Sequence, residues 1–361
     1  MEEVYERLFG VWGRQLSTEL SFVSPLVALP PEDESGIYLG RDRFGRRVFI
    51  DFYRLKNAHG LVVGPSGAGK STFARDLGVK WRRQGGRAAY IDPSGEQADW
   101  VRWMGGIGYD LRRGVNADSP YEHMGEEWYH RLARITGAAL NWPPQTTSYF
   151  ESLLLRHMCV EDALKEAEAR GFDPVARPVI NDLQILRYLM GEAEPLVAWE
   201  AGLSCFALYE MSEDIARFLG TVISDAIWRY GVKKGIVHRP ELLLILDEAH
   251  RYVELRPFVE TQSFITGMAR VVRKYAVAVV ILTQRVHDVE SAAREQIGWK
   301  IALPGSSSTY LNSVAEVWGA NETQLGWLAS ANVGRALVYK EGSTRPSRVY
   351  LELSEEAFWR G

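Results

Sequence analysis

The chain has 361 residues, of which 46% are hydrophobic and 24% are charged, as expected for a globular protein with one large core and an insertion. Its formal net charge of −4 excludes a polyelectrolyte, so any nucleic-acid contact must come from a local basic patch. Two distant cysteines exclude a disulfide framework or a zinc motif, and no apolar run approaches the roughly 18 residues of a membrane span.

The predicted elements begin with a helix over residues 1–22, which has apolar side chains at helical spacing, and a linker follows it. Two short strands at 37–39 and 48–52 flank an Asp-Arg-Phe-Gly turn and form a predicted β-hairpin. The apolar run Gly60–Val63 predicts a buried parallel strand, and an amphipathic helix then continues to Gly85.

A second core strand at 88–91 ends in Asp92, and we expect this strand to border the strand at 60–63. The Asp92-Pro93 pair is either a plain turn or part of a site. Residues 115–235 are mostly helical, with one helix between Asp182 and Gly191 and one strand. The remaining strands are predicted at 204–208, 242–246, 277–282, 301–303, 336–339 and 349–351.

Alternating strands and helices predict an α/β fold, with a mainly parallel central sheet that helices cover on both faces. We divide the chain into an N-terminal helix and linker (1–35), a first core part (36–114), a mostly helical insertion (115–238) and a second core part (239–361).

One glycine-rich segment matches the phosphate-binding loop, or P-loop, between the strand and the helix that this motif requires. Its glycines let backbone N–H groups and a helix N-terminus surround an anion, although such a turn can also bind nothing. We predict that Lys70 contacts the β- and γ-phosphates and that the Ser71 hydroxyl is a Mg²⁺ ligand. The residues predicted to bind ATP are Gly64, Pro65, Ser66, Gly67, Ala68, Gly69, Lys70, Ser71 and Thr72.

Two acidic residues, Asp247 and Glu248, follow the aliphatic run Leu242–Leu246. Carboxylates at the end of a buried strand are costly unless they are solvated or meet a cation. We predict that Asp247 holds Mg²⁺ through water and that Glu248 is the general base for the attacking water. The alternative is a strand that ends in a polar turn.

Three further residues are candidates for catalysis. Gln284 ends the strand at 277–282, where its amide either reaches the γ-phosphate or the attacking water, or caps the strand. Arg270 and Arg273 precede that strand, at the end of a predicted helix. Either one of them stabilises the γ-phosphate of a neighbouring subunit, or both complement the helix C-terminus. The histidines and cysteines show no ligand spacing for a transition metal.

These motifs together resemble the HerA/FtsK superfamily of ring-forming motors. The resemblance covers roughly residues 36–354 and is greatest to the C-terminal motor domain of the conjugation and type IV secretion ATPases, the VirB-type and TraC-like proteins. We expect two departures from that branch, namely the lack of its large N-terminal domain and a shorter helical region. The segments that carry the resemblance are 57–60, 91–96, 246–250, 273–275, 283–288 and 332–337.

The resemblance implies a RecA-like core, a homo-hexameric ring and ATP-driven movement of a polymer or a secretion machine. We therefore expect a cytoplasmic ATPase that energises conjugative DNA transfer or type IV secretion. Its candidate partners are DNA and the proteins of a conjugation or secretion channel, and partners would provide any peripheral contact with the inner face of the membrane. A HerA-like DNA translocase in repair or in a mobile element, and a nucleotide-gated scaffold with slow hydrolysis, are the alternatives.

Overall fold

The computed structural model describes residues 35–118, 125–235, 237–249, 275–289 and 291–359. The predicted N-terminal helix at 1–22 lies outside these residues, and so do Arg270 and Arg273.

The strands of the described residues join into one sheet. They are β1 Ile37–Asp42, β2 Arg47–Ile50, β3 Gly60–Val63, β4 Arg87–Asp92, β5 Ile107–Asp110, β6 Leu203–Ala207, β7 Leu242–Leu246, β8 Val277–Thr283, β9 Trp299–Ala302, β10 Arg335–Lys340 and β11 Ser347–Leu351. The sheet has 11 strands in the order β2-β1-β11-β10-β9-β3-β8-β7-β4-β6-β5. The neighbours from β9 to β5 pair in parallel, and the four strands at the other end pair antiparallel.

The helices of the described residues cover both faces of this sheet. They are α1 Lys70–Arg83, α2 Glu96–Trp103, α3 Gly125–Ala139, α4 Pro144–His157, α5 Val160–Ala169, α6 Arg177–Asn181, α7 Leu183–Leu186, α8 Val197–Glu200, α9 Glu213–Lys234, α10 Ser291–Gln296, α11 Ser308–Trp318 and α12 Glu322–Ala329. Phe73 of α1 and Trp100 of α2 belong to the core on one face, whereas Phe150 of α4 and Phe218 of α9 belong to the core on the other.

The buried strands are apolar on both sides because each side chain enters one of two cores. In β4, Ala89 and Ile91 pack in the core that contains α9, whereas Ala88 and Tyr90 pack in the core that contains α1. This alternation explains why the central strands read as continuous apolar runs. The predicted fold class, a mainly parallel sheet between helices, is confirmed.

Most predicted elements are confirmed, including the β1–β2 hairpin and the strands that became β6, β9, β10 and β11. The helix predicted between Asp182 and Gly191 is shorter, because α7 ends at Leu186 and a 3₁₀ turn, Arg187–Leu189, follows it. Strand β5 was not predicted, since its four residues contain a glycine and none of them is buried.

One expected neighbour relation is wrong. Strand β4 does not border β3, because β8 and β7 lie between them, and β3 pairs with β8 and β9 instead. Sequence order does not give strand order, since parallel strands are joined by crossovers that can pass any number of neighbours. Asp92 therefore ends a strand beside β7, three strand positions from β3.

The predicted division at 114/115 and 238/239 stays a prediction. The segment 115–238 contains α3 to α9, and it also contributes β6 to the central sheet between β4 and β5. Within the described part of the chain, no helix is both long enough and apolar enough to cross a lipid bilayer.

Candidate functional site

The P-loop connects the end of β3 to the start of α1. Some of its glycines adopt backbone angles that other residues rarely adopt, and another leaves room for a neighbouring side chain. Gly67 and Gly69 have φ angles of 76° and 94°, in the left-handed region that favours glycine. A Cβ atom on Gly64 would lie 2.9 Å from Cβ of Leu303, so a larger residue would collide there. Since the first N–H groups of a helix have no intrahelical partner, the α1 N-terminus is suited to binding an anion.

Lys70, the first residue of α1, directs its ammonium back over this loop. Its side chain is only 6% exposed, and Nζ donates to the Gly64 carbonyl oxygen at 3.0 Å. The same Nζ lies 3.3 Å from Oε1 of Glu248. The ammonium therefore lies between a carbonyl oxygen of the loop and a carboxylate that follows β7.

Ser71 and Asp247 form a hydrogen-bonded pair of side chains at the start of α1 and the end of β7. Ser71 Oγ donates to Asp247 Oδ2 at 3.1 Å. Burial, followed by the nearby charge of Asp92, raises the pKa of Asp247 to about 6. A buried carboxylate with a raised pKa gains from a cation, and a hydroxyl with a carboxylate is a ligand set that suits Mg²⁺. The residues present therefore fit the predicted cation.

Glu248 lies between the P-loop lysine and a glutamine from the next strand. Gln284 Nε2 donates to both carboxylate oxygens of Glu248 at 3.2 Å. Glu248 has a φ of 46°, which is uncommon for a residue other than glycine and is often found at functional sites. Strand β8 pairs with both β3 and β7, and this position brings Gln284 to the two motifs.

The structure thus brings five predicted site residues together at the carboxyl edge of the parallel strands. They are Lys70, Ser71, Asp247, Glu248 and Gln284. Asp92 lies nearby, but its carboxylate accepts hydrogen bonds from Ser94 and from the backbone N–H of Gln97. These bonds stabilise the turn that leads into α2. The described residues contain no cluster of three or more His, Cys, Asp or Glu side chains that could bind a metal.

Sequence reasoning assigned no role to two residues that lie beside the P-loop or the strand ends that support it. Tyr310 of α11 donates to the carbonyl oxygens of Leu303, at 2.6 Å, and Val63, at 3.2 Å, and so fixes the strand ends below the loop. Val333 places Cγ1 3.2 Å from the position that a Cβ atom would take on Gly69. Tyr310 belongs to no motif, and Val333 lies in the segment 332–337, which carried the resemblance without predicting a position beside the P-loop.

Several solved structures have the same fold. The structure of VirB4 of Thermoanaerobacter pseudethanolicus aligns with a TM-score of 0.72 and 18% identity, over 92% of this chain and 100% of that chain. The bacterial conjugative coupling protein TrwB aligns with a TM-score of 0.63 and 15% identity, over 91% of each chain. A structure of TrwB in complex with ADP and Mg²⁺ aligns with a TM-score of 0.56 and 15% identity, over 93% of this chain and 94% of that chain.

At the level of sequence, a segment of 46 residues is 50% identical to the DNA import protein CedB of Sulfolobus acidocaldarius. This segment is 12% of this chain and spans only 8% of CedB. No protein-family profile matches the chain. The chain therefore shares its fold with VirB4 and TrwB, and the fold that the resemblance implied is confirmed.

Proposed function

We propose that this chain binds Mg·ATP at Gly64–Thr72 and hydrolyses it. The observation that carries the proposal is the convergence of Lys70, Glu248 and Gln284, whose side chains meet within 3.3 Å although they come from three distant segments. An ammonium, a carboxylate and an amide beside an anion-binding loop are the groups that phosphoryl transfer to water needs.

Each residue then has a role that follows from its position. Ser71 and Asp247 would hold Mg²⁺, which neutralises charge on the phosphates. Lys70 would exchange its contact with Glu248 for the phosphate oxygens. Glu248 would accept the proton of the attacking water, and Gln284, which donates to this carboxylate, would hold it in place and orient the water.

Replacement of Lys70 by Ala tests this proposal directly. Turnover of ATP should fall by about a hundredfold or more, because charge stabilisation at the phosphates is lost. The far-ultraviolet circular dichroism spectrum should not change, since the ammonium contacts the loop and not the apolar cores. Lys56→Ala is the matched control, because its side chain is 75% exposed. A folded Lys70→Ala chain that hydrolyses ATP at the parent rate would refute the proposal.

We further propose that the chain is a ring-forming motor, a homo-hexamer that energises conjugative DNA transfer or type IV secretion. The fold likeness to all of the VirB4 chain and most of TrwB supports this proposal. In this proposal the motor is cytoplasmic, and its partners are DNA or channel proteins. Arg273 or Arg270 of each subunit stabilises the γ-phosphate in the ATP site of the neighbouring subunit. Contact with the inner face of the membrane would be peripheral and through those partners.

A HerA-like DNA translocase is the second candidate, and the CedB segment supports a motor that acts on DNA, because CedB is a DNA import protein. Hydrolysis assays with and without double-stranded DNA separate such a motor from one that drives only protein secretion, since stimulation by DNA is expected of the first alone. The Lys70–Glu248–Gln284 cluster argues against a nucleotide-gated scaffold, because a protein that only binds ATP needs no base.

A further inference from the structure

The position of the acidic residues indicates on which side of the P-loop a nucleoside would lie. Asp247 and Glu248 follow β7, and Gln284 follows β8, so all three lie on one side of β3. The terminal phosphate and its cation belong on that side. The nucleoside must then extend towards the other side of β3, where β9 and β10 follow in the sheet.

The start of β10 lies on the side of β3 towards which the nucleoside would extend. Strand β10 runs antiparallel to β9, with Leu337 opposite Ala302, so its first residues lie at the same sheet edge as the P-loop. Two strand spacings, about 10 Å, separate β10 from β3, which is within the length of a nucleoside triphosphate. The turn before β10 lies beside the loop, because Val333 Cγ1 is 3.2 Å from the position that a Cβ atom would take on Gly69, the residue before α1.

Val333 lies beside the loop, and Arg335, two residues later at the start of β10, offers a different kind of surface. Val333 is 61% exposed although it lies beside the P-loop, so its apolar surface is open to a ligand. The guanidinium carbon of Arg335 lies 5.5 Å from the ring centroid of Tyr350 and 6.0 Å from that of Trp327. These two rings, 5.9 Å apart, hold the guanidinium without neutralising its charge.

We propose that the turn 332–335 forms the nucleoside side of the nucleotide site, with Val333 against the ribose and the base and Arg335 beside the purine ring. A flat aromatic base stacks on guanidinium and tyrosine faces and excludes water from an apolar side chain. The ligand class is a purine nucleoside triphosphate, and the inference rests on the proposed function.

The experiment compares ATP with inorganic triphosphate, which has the phosphates but no nucleoside. Isothermal titration calorimetry with Mg²⁺ on the full chain should show tighter binding of ATP than of triphosphate. Val333→Ala and Arg335→Ala should each weaken ATP binding by about three- to tenfold and leave triphosphate binding unchanged. Arg345→Ala, in the exposed β10–β11 turn, is the matched control and should change neither affinity.

Three outcomes would overturn the inference. Equal losses for ATP and triphosphate would show that the turn only supports the P-loop. Unchanged ATP affinity in both variants would show that the nucleoside lies elsewhere. Weaker binding of a single-stranded oligonucleotide by Arg335→Ala, with normal ATP binding, would make the cluster a nucleic-acid surface. Parent-like ATP affinity in Lys70→Ala is a separate result, because it would refute the proposed function and this inference with it.

Discussion

At the scale of single residues, Glu248 is held by Lys70 and Gln284, so its charge can be removed without changing its shape. Glu248→Gln should bind ATP and retain it, while turnover falls by about a hundredfold or more, because the amide cannot accept the proton of water. Single-turnover hydrolysis and the nucleotide content of the purified protein measure this. Glu241→Gln, one residue before the amino end of β7, is the control. Weak ATP binding together with normal single-turnover hydrolysis would show that Glu248 is not the base.

Asp247 should reduce the stability of the nucleotide-free protein. Burial and Asp92 raise its pKa from 3.8 to about 6, so between these values the folded chain binds more protons than the unfolded chain. The free energy of unfolding therefore decreases as the pH rises through this window. The Asp247→Asn substitution should raise the free energy of unfolding by about 1 to 3 kcal/mol at pH 7 and by almost nothing near pH 3.

Urea denaturation of the parent chain and of Asp247→Asn, without Mg²⁺, at pH 7 and at pH 3 to 4, measures this difference in the free energy of unfolding. The same variant should lose Mg²⁺-dependent ATP turnover, since the proposed ligand is removed. Equal effects of the substitution at both pH values, or a loss of stability at pH 7, would contradict the assigned cause.

At the scale of elements, α1 lies directly on β4 and leaves no space between them. A Cβ atom on Gly78 would lie 1.9 Å from Tyr90 Oη, which donates to the Ala74 carbonyl oxygen at 3.1 Å. Gly78→Ala should therefore lower the free energy of unfolding by about 1 to 3 kcal/mol, although alanine favours a helix. Gly326→Ala in α12, with nothing within 4 Å, is the control and should stabilise by about 0.5 to 1 kcal/mol.

A double-mutant cycle identifies the cause of the Gly78 effect. In a Tyr90→Phe background, where the hydroxyl is absent, Gly78→Ala should cost clearly less than in the parent. Thermal denaturation of the four proteins measures the coupling. An equal cost in both backgrounds would place the collision elsewhere.

At the scale of the whole molecule, the proposed ring makes hydrolysis depend on assembly. If Arg273 serves a neighbouring site, hydrolysis per chain should rise steeply with protein concentration. Arg273→Ala should bind ATP normally and turn it over slowly, and mixing it with Lys70→Ala should restore part of the activity. Arg270, three residues earlier, requires the same test. Activity that is independent of concentration down to the monomer, or mixtures that stay inactive, would contradict a shared site.

The sequence determined the local parts of this protein. The Gly64–Thr72 loop between a strand and a helix, and the acidic pair after β7, are short-range patterns whose chemistry depends on residues that are adjacent in the chain. The same is true of most strands, because apolar runs bounded by turn residues report burial directly.

Only the tertiary structure decided which of these parts meet. The order β3-β8-β7-β4 brings Gln284 to Glu248 and places Asp92 beside Asp247 and away from the P-loop strand, against the expectation from chain order. The approach of Val333 to Gly69 brings together residues 264 positions apart, and neither segment by itself predicts that they meet. Strand order and such long-range contacts depend on how complete cores pack on both faces of the sheet, and no local pattern encodes that packing.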